Sequence, residues 1–152
     1  METLKPVGPC QHSGTFNAPL VNILCGLAFL EEARKPDFYP SIRRMEAFVK
    51  NGFDEIIRRH GLNMVVVSHG PQFNITFGRT DAPVRYEDSF THDPAVMRRF
   101  CREMFERGVY FHDYGGGPSH HGFSIAHTEE SLSRMLSAAE EALTVMQAEG
   151  LC

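Results

Sequence analysis

The chain lacks the spaced signatures of several common classes. Its four cysteines, Cys10, Cys25, Cys101 and Cys152, stand singly with no CxxC pair, which excludes a zinc ribbon or finger. HExxH and GxSxG are also missing, and with them the signatures of a zinc hydrolase and of a nucleophile elbow. Gly115-Gly116-Gly117 runs into Pro118 and a strand-like stretch, whereas a phosphate cradle opens onto a helix N-terminus. There is no basic excess: 15 Lys and Arg against 19 Asp and Glu give a net charge of −4, so no nucleic-acid partner is expected. The most apolar run, residues 19–30, is too short to cross a bilayer and contains Asn22, so no membrane partner is expected. The opening METLKPVGPC has neither the basic start nor the apolar stretch of a signal peptide. A reduced, cytoplasmic protein is the expectation.

What is present is enough for one ordinary domain. The sequence has 152 residues, 42% of them hydrophobic, which is sufficient to bury a single core. Residues 1–18 contain Pro6, Gly8, Pro9 and Gly14 with little periodicity, and read as an extended segment. It is either a tail or the end of something larger lying upstream. A helix follows, with Asn17 as its N-cap, Pro19 in its first turn and Pro36 as its stop. Leu20, Val21, Ile23, Leu24, Leu27 and Leu30 make it apolar nearly all round, which predicts burial on several sides.

A second helix is predicted from Asp37 or Pro40 to His60. Its face is Ile42, Met45, Val49, Phe53, Ile56 and Ile57, and Gly61 is placed to end it. Residues 62–68 and 72–78 read as strands joined through His69-Gly70-Pro71, an antiparallel hairpin. Residues 78–91 read as a loop without strong local structure. Asp93-Pro94 is an N-cap and first-turn proline for a third helix, predicted to bury Val96, Met97, Phe100, Cys101, Met104 and Phe105. Cys25 and Cys101 fall on apolar helix faces, where buried free thiols are expected.

Residues 108–130 concentrate the polar interest of the chain: a strand at 108–112, a loop rich in glycine and histidine, a strand at 122–126, and a helix capped by Thr128. That last helix is predicted to bury Leu132, Met135, Leu136, Ala139, Leu143 and Met146. The order α-α-β-β-α-β-β-α predicts an α+β two-layer sandwich, with about four mostly antiparallel strands covered by helices. Two strands returning to one edge with a polar loop between them make a natural pocket rim. Because successive strand side chains point to opposite faces, His120 and His121 do not readily share one metal, and no metal site is assigned.

Four stretches, taken in collinear order, resemble the C-terminal part of the class III (fold type I) pyridoxal-phosphate-dependent aminotransferases, nearest to glutamate-1-semialdehyde aminomutase and its relatives. They are LKPVGPCQHSGTFNAPL, VVVSHGPQFNITF with PVRYEDSF, FCREMFERGVYF and FSIAHTEESL. The resemblance implies three parts: residues 1–18 carrying a Gly-Thr phosphate contact, 19–36 as an interdomain-type helix, and 37–152 as the small domain. It implies that Gly14 and Thr15 bind the phosphate of pyridoxal 5'-phosphate, reaching into a neighbouring subunit. A hydroxyl and backbone N–H groups in a glycine-containing segment suit a phosphate dianion.

The family's Schiff-base lysine and the acidic partner of the pyridine nitrogen lie further upstream than this chain extends, and Lys5, Lys35 and Lys50 do not match that lysine. No residue is therefore assigned a catalytic role, and the expectation is a portion of such an enzyme that is inactive alone. GTFNAPL is one residue shorter between threonine and proline than the usual pattern. Where the aminomutase branch has a Ser-Gln-Phe-Glu loop this chain has YGGGPSHHG, and the candidate substrate-rim residues there are Tyr114, Ser119, His120 and His121.

Three functions follow as alternatives. The first is a small-domain part of an aminotransferase or aminomutase acting on an amino acid or amino aldehyde, partnered by a large-domain polypeptide or as a homodimer. The second is a non-catalytic binding or dimerisation module derived from that family. The third is an independent metal- or histidine-dependent enzyme using His112, His120 and His121.

Overall fold

The computed structural model describes every residue except Met1, Thr91, His92, Pro118 and Ser119, and of Ser89 it describes the backbone alone. The chain divides into two compact units, Met1–Phe38 and Tyr39–Cys152.

The first unit begins with a closed loop where an extended segment was expected. Lys5 N–H donates to Cys10 O and Cys10 N–H to Thr3 O, both at 2.9 Å, and Gly8 N–H donates to Leu4 O at 2.7 Å. Prolines and glycines permit that reversal, and the hydrogen bonds satisfy a backbone that has no sheet to join. Helix α1 (Leu20–Ala33) starts later than Asn17 predicts. Pro19 occupies the cap position in extended geometry without a side-chain cap, and Ala18 before it has φ 55°, so the chain is not helical at Asn17. The Asn17 N–H instead closes a turn onto Gly14 O at 2.9 Å. Leu20, Val21, Leu24, Leu27, Phe29 and Leu30 of α1 are each more than half exposed. Cys25 is exposed with them, contrary to the burial its apolar neighbours predict.

In the second unit, α2 (Phe38–His60) buries Val49, Phe53 and Ile56. Gly61, at φ 61°, supplies the left-handed residue that ends it, and Leu62 N–H returns to Ile57 O at 3.0 Å. Strands β1 (Met64–His69) and β2 (Gln72–Phe77) pair antiparallel from Met64↔Phe77 to His69↔Gln72 around the two-residue turn Gly70-Pro71. The φ of 59° at Gly70 is what so tight a turn requires. Residues 78–90 are more ordered than expected. They contain a 3-10 helix, Tyr86–Phe90, and Asp88 accepts the N–H groups of Val84 and Arg85 at 3.1 and 2.9 Å.

Helix α3 (Pro94–Glu106) is capped by Asp93, which accepts from Ala95 N–H at 2.8 Å. Its buried face is Met97, Phe100, Cys101, Glu103 and Met104, whereas Phe105 is 67% exposed. Glu103 is buried because Arg99 and Arg107, one turn to either side, pair with it at 2.9 and 2.5 Å. Helix α4 (Glu129–Ala148) begins in a reciprocal capping box between Thr128 and Ser131 and buries Leu132, Met135, Ala139, Leu143 and Met146.

The two strands predicted at residues 108–112 and 122–126 reduce to one, β3 (His121–Gly122), which pairs antiparallel with β2 at Gln72↔Gly122 and Phe73↔His121. Residues 108–112 leave α3 through Gly108 at φ 77°, and Val109 N–H bonds back to Met104 O at 2.9 Å. Phe111 then turns its ring into the core, 5.8 Å from Phe73 and 5.9 Å from Phe100. Residues 123–127 close a turn of their own, with His127 N–H on Ser124 O at 3.0 Å. Among the described residues the fold is therefore α+β with a three-stranded antiparallel sheet, β1-β2-β3, rather than a sheet of four. Met64 and Val66 of β1 and Phe73, Ile75 and Phe77 of β2 join the buried faces of α2, α3 and α4 in one core.

Candidate functional site

The candidate site of the second unit is built from Tyr110–Gly117 and His120–Gly122, which meet where Phe111 packs on His121. Their rings stack at 4.3 Å and 19°, and His121 also lies 5.7 Å from Phe73. The register of β3 fixes this arrangement, because pairing Phe73 with His121 turns the imidazole inward, where it is 5% exposed. Burial, with smaller contributions from the charges of His120 and His112, lowers its pKa to about 4. His121 is thus a neutral ring supporting the rim at physiological pH.

The outer layer consists of Tyr110, His112, Tyr114 and His120, all exposed. The Tyr110 hydroxyl and His112 Nδ1 are 3.0 Å apart. Tyr114 meets His112 edge to face at 4.2 Å and 64°, and its ring lies 6.0 Å from that of His120. The glycine loop is held from two directions: Gly116 N–H donates to Asp113 Oδ1 at 2.7 Å, and Arg98 Nη1 donates to Gly115 O at 2.7 Å. Gly116 has φ 79°, and a Cβ there would fall 2.1 Å from Pro94 O, so glycine is demanded both by conformation and by close approach. On α3, burial and then the charge of Asp113 raise the Cys101 thiol to about 11, which makes it an inert core residue.

The structure brings together Tyr114 and His120, with His121 beneath them, while Ser119 lies outside the described residues. Tyr110 and His112 belong to the same cluster and are absent from the rim predicted by sequence. Their signal was the alternation Tyr110, His112, Tyr114, which places three rings on one side of an extended segment. Among the described residues, no group of three or more His, Cys, Asp or Glu side chains is arranged to hold a metal ion.

Gly14 and Thr15 belong to the first unit. Gly14 O accepts from Asn17 N–H, and Thr15 is exposed in the resulting turn. A hydroxyl and main-chain N–H groups presented from such a turn fit a phosphate dianion. The three lysines do not fit covalent attachment of an aldehyde cofactor. Lys35 is paired with Glu32 at 2.6 Å and Lys50 with Asp54 on helix surfaces, while Lys5 lies in the closed loop at the start of the chain. No described helix is long and apolar enough to cross a membrane.

No family model matches the chain. Over 145 residues it is 30% identical to the glutamate-1-semialdehyde 2,1-aminomutase of Akkermansia muciniphila, a match covering 95% of this chain and 33% of that protein. Among solved structures, one described as a transaminase with PLP bound superposes with a TM-score of 0.74 at 22% identity, over 97% of this chain and 32% of the other. An omega-transaminase from Sphaerobacter thermophilus gives 0.73 at 19%, over 92% and 32%. A β-phenylalanine aminotransferase from Variovorax paradoxus gives 0.75 at 20%, over 95% and 33%. The chain spans about a third of the length of each of these relatives.

Proposed function

The chain belongs to the C-terminal, small-domain part of the pyridoxal-phosphate-dependent aminotransferases and aminomutases, and from that premise we propose that it completes such an enzyme together with the family's large domain. The observation that carries this reading is the match itself, which takes in nearly all of this chain and a third of the aminomutase. In the assembled enzyme, pyridoxal phosphate supplies the electron sink for breaking bonds beside the amino nitrogen. Gly14 and Thr15 contribute N–H and hydroxyl donors to its phosphate. The attachment lysine and the acid facing the pyridine nitrogen come from the large domain, since the lysines of this chain are not placed for that role. The loop from Tyr110 to His121 forms the substrate rim, with Tyr114 and His120 on its outer face. The substrate is an amino acid or amino aldehyde.

The exposed apolar side chains of α1 supply the docking surface, since covering leucines that are each more than half exposed would gain roughly 1 kcal/mol or more apiece. The exposed free thiols of Cys10 and Cys25 suit a reducing cytoplasmic compartment. Mixing this chain with a large-domain polypeptide of the family should restore pyridoxal-phosphate-dependent amino transfer that neither shows alone. Continued inactivity of a well-folded complex would refute the reading.

The same exposed helix favours a second reading, a class III-derived dimerisation module without catalysis. A homodimer that ignores pyridoxal phosphate and dissociates on Leu24→Asp substitution would support that alternative.

A further inference from the structure

The rim loop reverses direction at Tyr114–Gly117, where Gly117 N–H closes onto Tyr114 O at 3.3 Å. Its two central residues, Gly115 at φ 71° and Gly116 at φ 79°, both have the positive φ that a type I′ turn demands. Glycine meets that demand at a cost, because it gives up more conformational freedom on ordering than any other residue. A turn built on two of them needs support from outside itself to keep one shape.

Helix α3 supplies that support. Gly116 lies so close to its first turn that a Cβ would fall 2.1 Å from Pro94 O. One turn further on, Arg98 Nη1 donates to Gly115 O at 2.7 Å. The bond from Gly116 N–H to Asp113 Oδ1 is internal to the loop, and the Pro94 contact is steric. A directional tie between helix and turn comes from Arg98. Tyr114 stands between the two anchored residues, Asp113 and Gly115, so the direction of its ring toward His112 and His120 follows from how the turn is held.

We infer that Arg98 is a positioning residue for the substrate rim: by holding Gly115 O it fixes the turn and, through the turn, the bearing of Tyr114. The role rests on reading the Tyr110–His121 loop as that rim, and Arg98 acts through the loop instead of on the substrate. Releasing the tie lowers the fraction of molecules whose loop is ready to bind, and apparent affinity falls with that fraction. The rate at saturating substrate is then little changed, because a loop already closed on its ligand has lost nothing that the reaction uses.

The test pairs Arg98→Ala with Arg102→Ala. Both arginines are exposed on α3 one turn apart, so each variant loses the same charge and keeps a good helix former. In the full 152-residue chain, amide hydrogen exchange read by NMR should speed up roughly threefold to tenfold at Gly116 in Arg98→Ala and stay at the parent rate in Arg102→Ala. The amides of β2, read in the same spectra, show that both variants are folded. In the assembled enzyme, with L-alanine as the probe amino donor, Arg98→Ala should raise KM roughly threefold to tenfold and leave kcat within about twofold. Unchanged exchange at Gly116, or an equal effect of Arg102→Ala, overturns the inference. Faster exchange with unchanged KM, or a loss confined to kcat, overturns it as well, since the bond would then hold the loop without serving the rim. A parent complex that transfers no amino group refutes the family reading, an outcome separate from the exchange rates of the chain.

Discussion

His60 Nε2 lies 2.8 Å from Glu140 Oε1, tying the last turn of α2 to the middle of α4. Arg59 reaches the same oxygen at 2.5 Å, and Gln147 donates to His60 O at 2.8 Å, so the junction is a small network. The hydrogen bond from His60, followed by that from Arg59, holds the Glu140 carboxyl below its ordinary value of 4.5. A depressed carboxyl pKa means that the folded state binds fewer protons than the unfolded one. The contribution is therefore complete above pH 4.5 and disappears as pH falls through the lower folded value. Glu140→Gln should cost about 1 kcal/mol at neutral pH, seen as a fall in Tm of about 2–4 °C. The gap between the two proteins should close in acid. A gap that stays constant down to the acid unfolding limit would show that the network acts through something other than this charge.

Glu103 presents a stronger case because it is buried. Its carboxylate is bracketed by Arg99 and Arg107, which continue to Glu149 at 2.8 Å and Glu141 at 3.3 Å on α4 and just beyond it. Removing the central acid leaves two guanidinium groups partly desolvated, and breaking a buried pair from one side costs about 3 kcal/mol. Glu103→Ala should approach that loss in urea unfolding. Glu149→Ala, at the exposed end of the chain of charges, should stay within about 0.5 kcal/mol of the parent.

These two networks also show what the sequence could and could not convey. Elements with a complete local signal were readable: the Asp93-Pro94 start of α3, the Thr128 cap, the Gly61 stop and the Gly70-Pro71 turn all act within a few residues. The family resemblance was carried by such segments in order. Side-chain placement set by distant partners was not readable. Glu103 is buried and Phe105 is exposed, and the two arginines that pair with Glu103 on its own helix are partners a hydrophobic pattern does not register. Residues 108–112 have a strand-like alternation, yet Phe111 is recruited by Phe73, Phe100 and His121 instead of pairing with a strand. The burial of Cys25 was inferred from the apolar surroundings of α1, but apolarity records only that a surface needs covering, and this chain leaves it exposed. At the rim, Tyr114, His120 and His121 could be listed from the loop, while Tyr110 and His112 were missed and the inward turn of His121 required the register of β3.

The buried imidazole of His121 gives a pH prediction of opposite sense to that of a salt-bridged histidine. Its pKa is lowered to about 4, so the folded state refuses a proton that the unfolded chain accepts near 6.5. Stability should be full above pH 6.5, decline as pH falls through that value, and level off near 4, with a total loss of about 3 kcal/mol. Urea midpoints measured across that window should show the slope. His121→Phe, which keeps a ring against Phe111, should flatten it. An imidazole signal for His121 titrating near 6.5 in the folded chain would contradict the burial argument.

Gly52 reverses an ordinary expectation. Alanine is favoured over glycine inside a helix by about 1 kcal/mol, so Gly52→Ala in the middle of α2 would normally stabilise. A Cβ at Gly52, however, would lie 2.4 Å from Cδ1 and 2.9 Å from Cδ2 of Leu136 on α4. Overpacking costs about 1–3 kcal/mol, enough to outweigh the propensity gain. Gly52→Ala should therefore lower stability, and in a double-mutant cycle with Leu136→Ala the two changes should couple by about 1 kcal/mol or more. Simple additivity would mean that Leu136 moves aside without cost.

Thr15 carries the prediction closest to the proposed chemistry. In the first unit the Gly14–Asn17 turn leaves it exposed, and its hydroxyl is the side-chain donor assigned to the cofactor phosphate. Valine has nearly the same shape and β-branching but no donor, so Thr15→Val tests the hydrogen bond with little change to the backbone. A hydrogen bond to a charged group contributes about 1.5 kcal/mol or more, so half-saturation by pyridoxal phosphate in the assembled enzyme should need roughly tenfold more cofactor. The rate at saturating cofactor should change little, since the phosphate is remote from the bonds that break. Thr15→Ser, which restores the donor, should recover most of the affinity. If the valine variant binds cofactor as well as the parent while the complex remains active, the phosphate is held by other groups and the assignment of Thr15 is wrong. If both variants fail alike, the turn rather than the hydroxyl is what the complex requires.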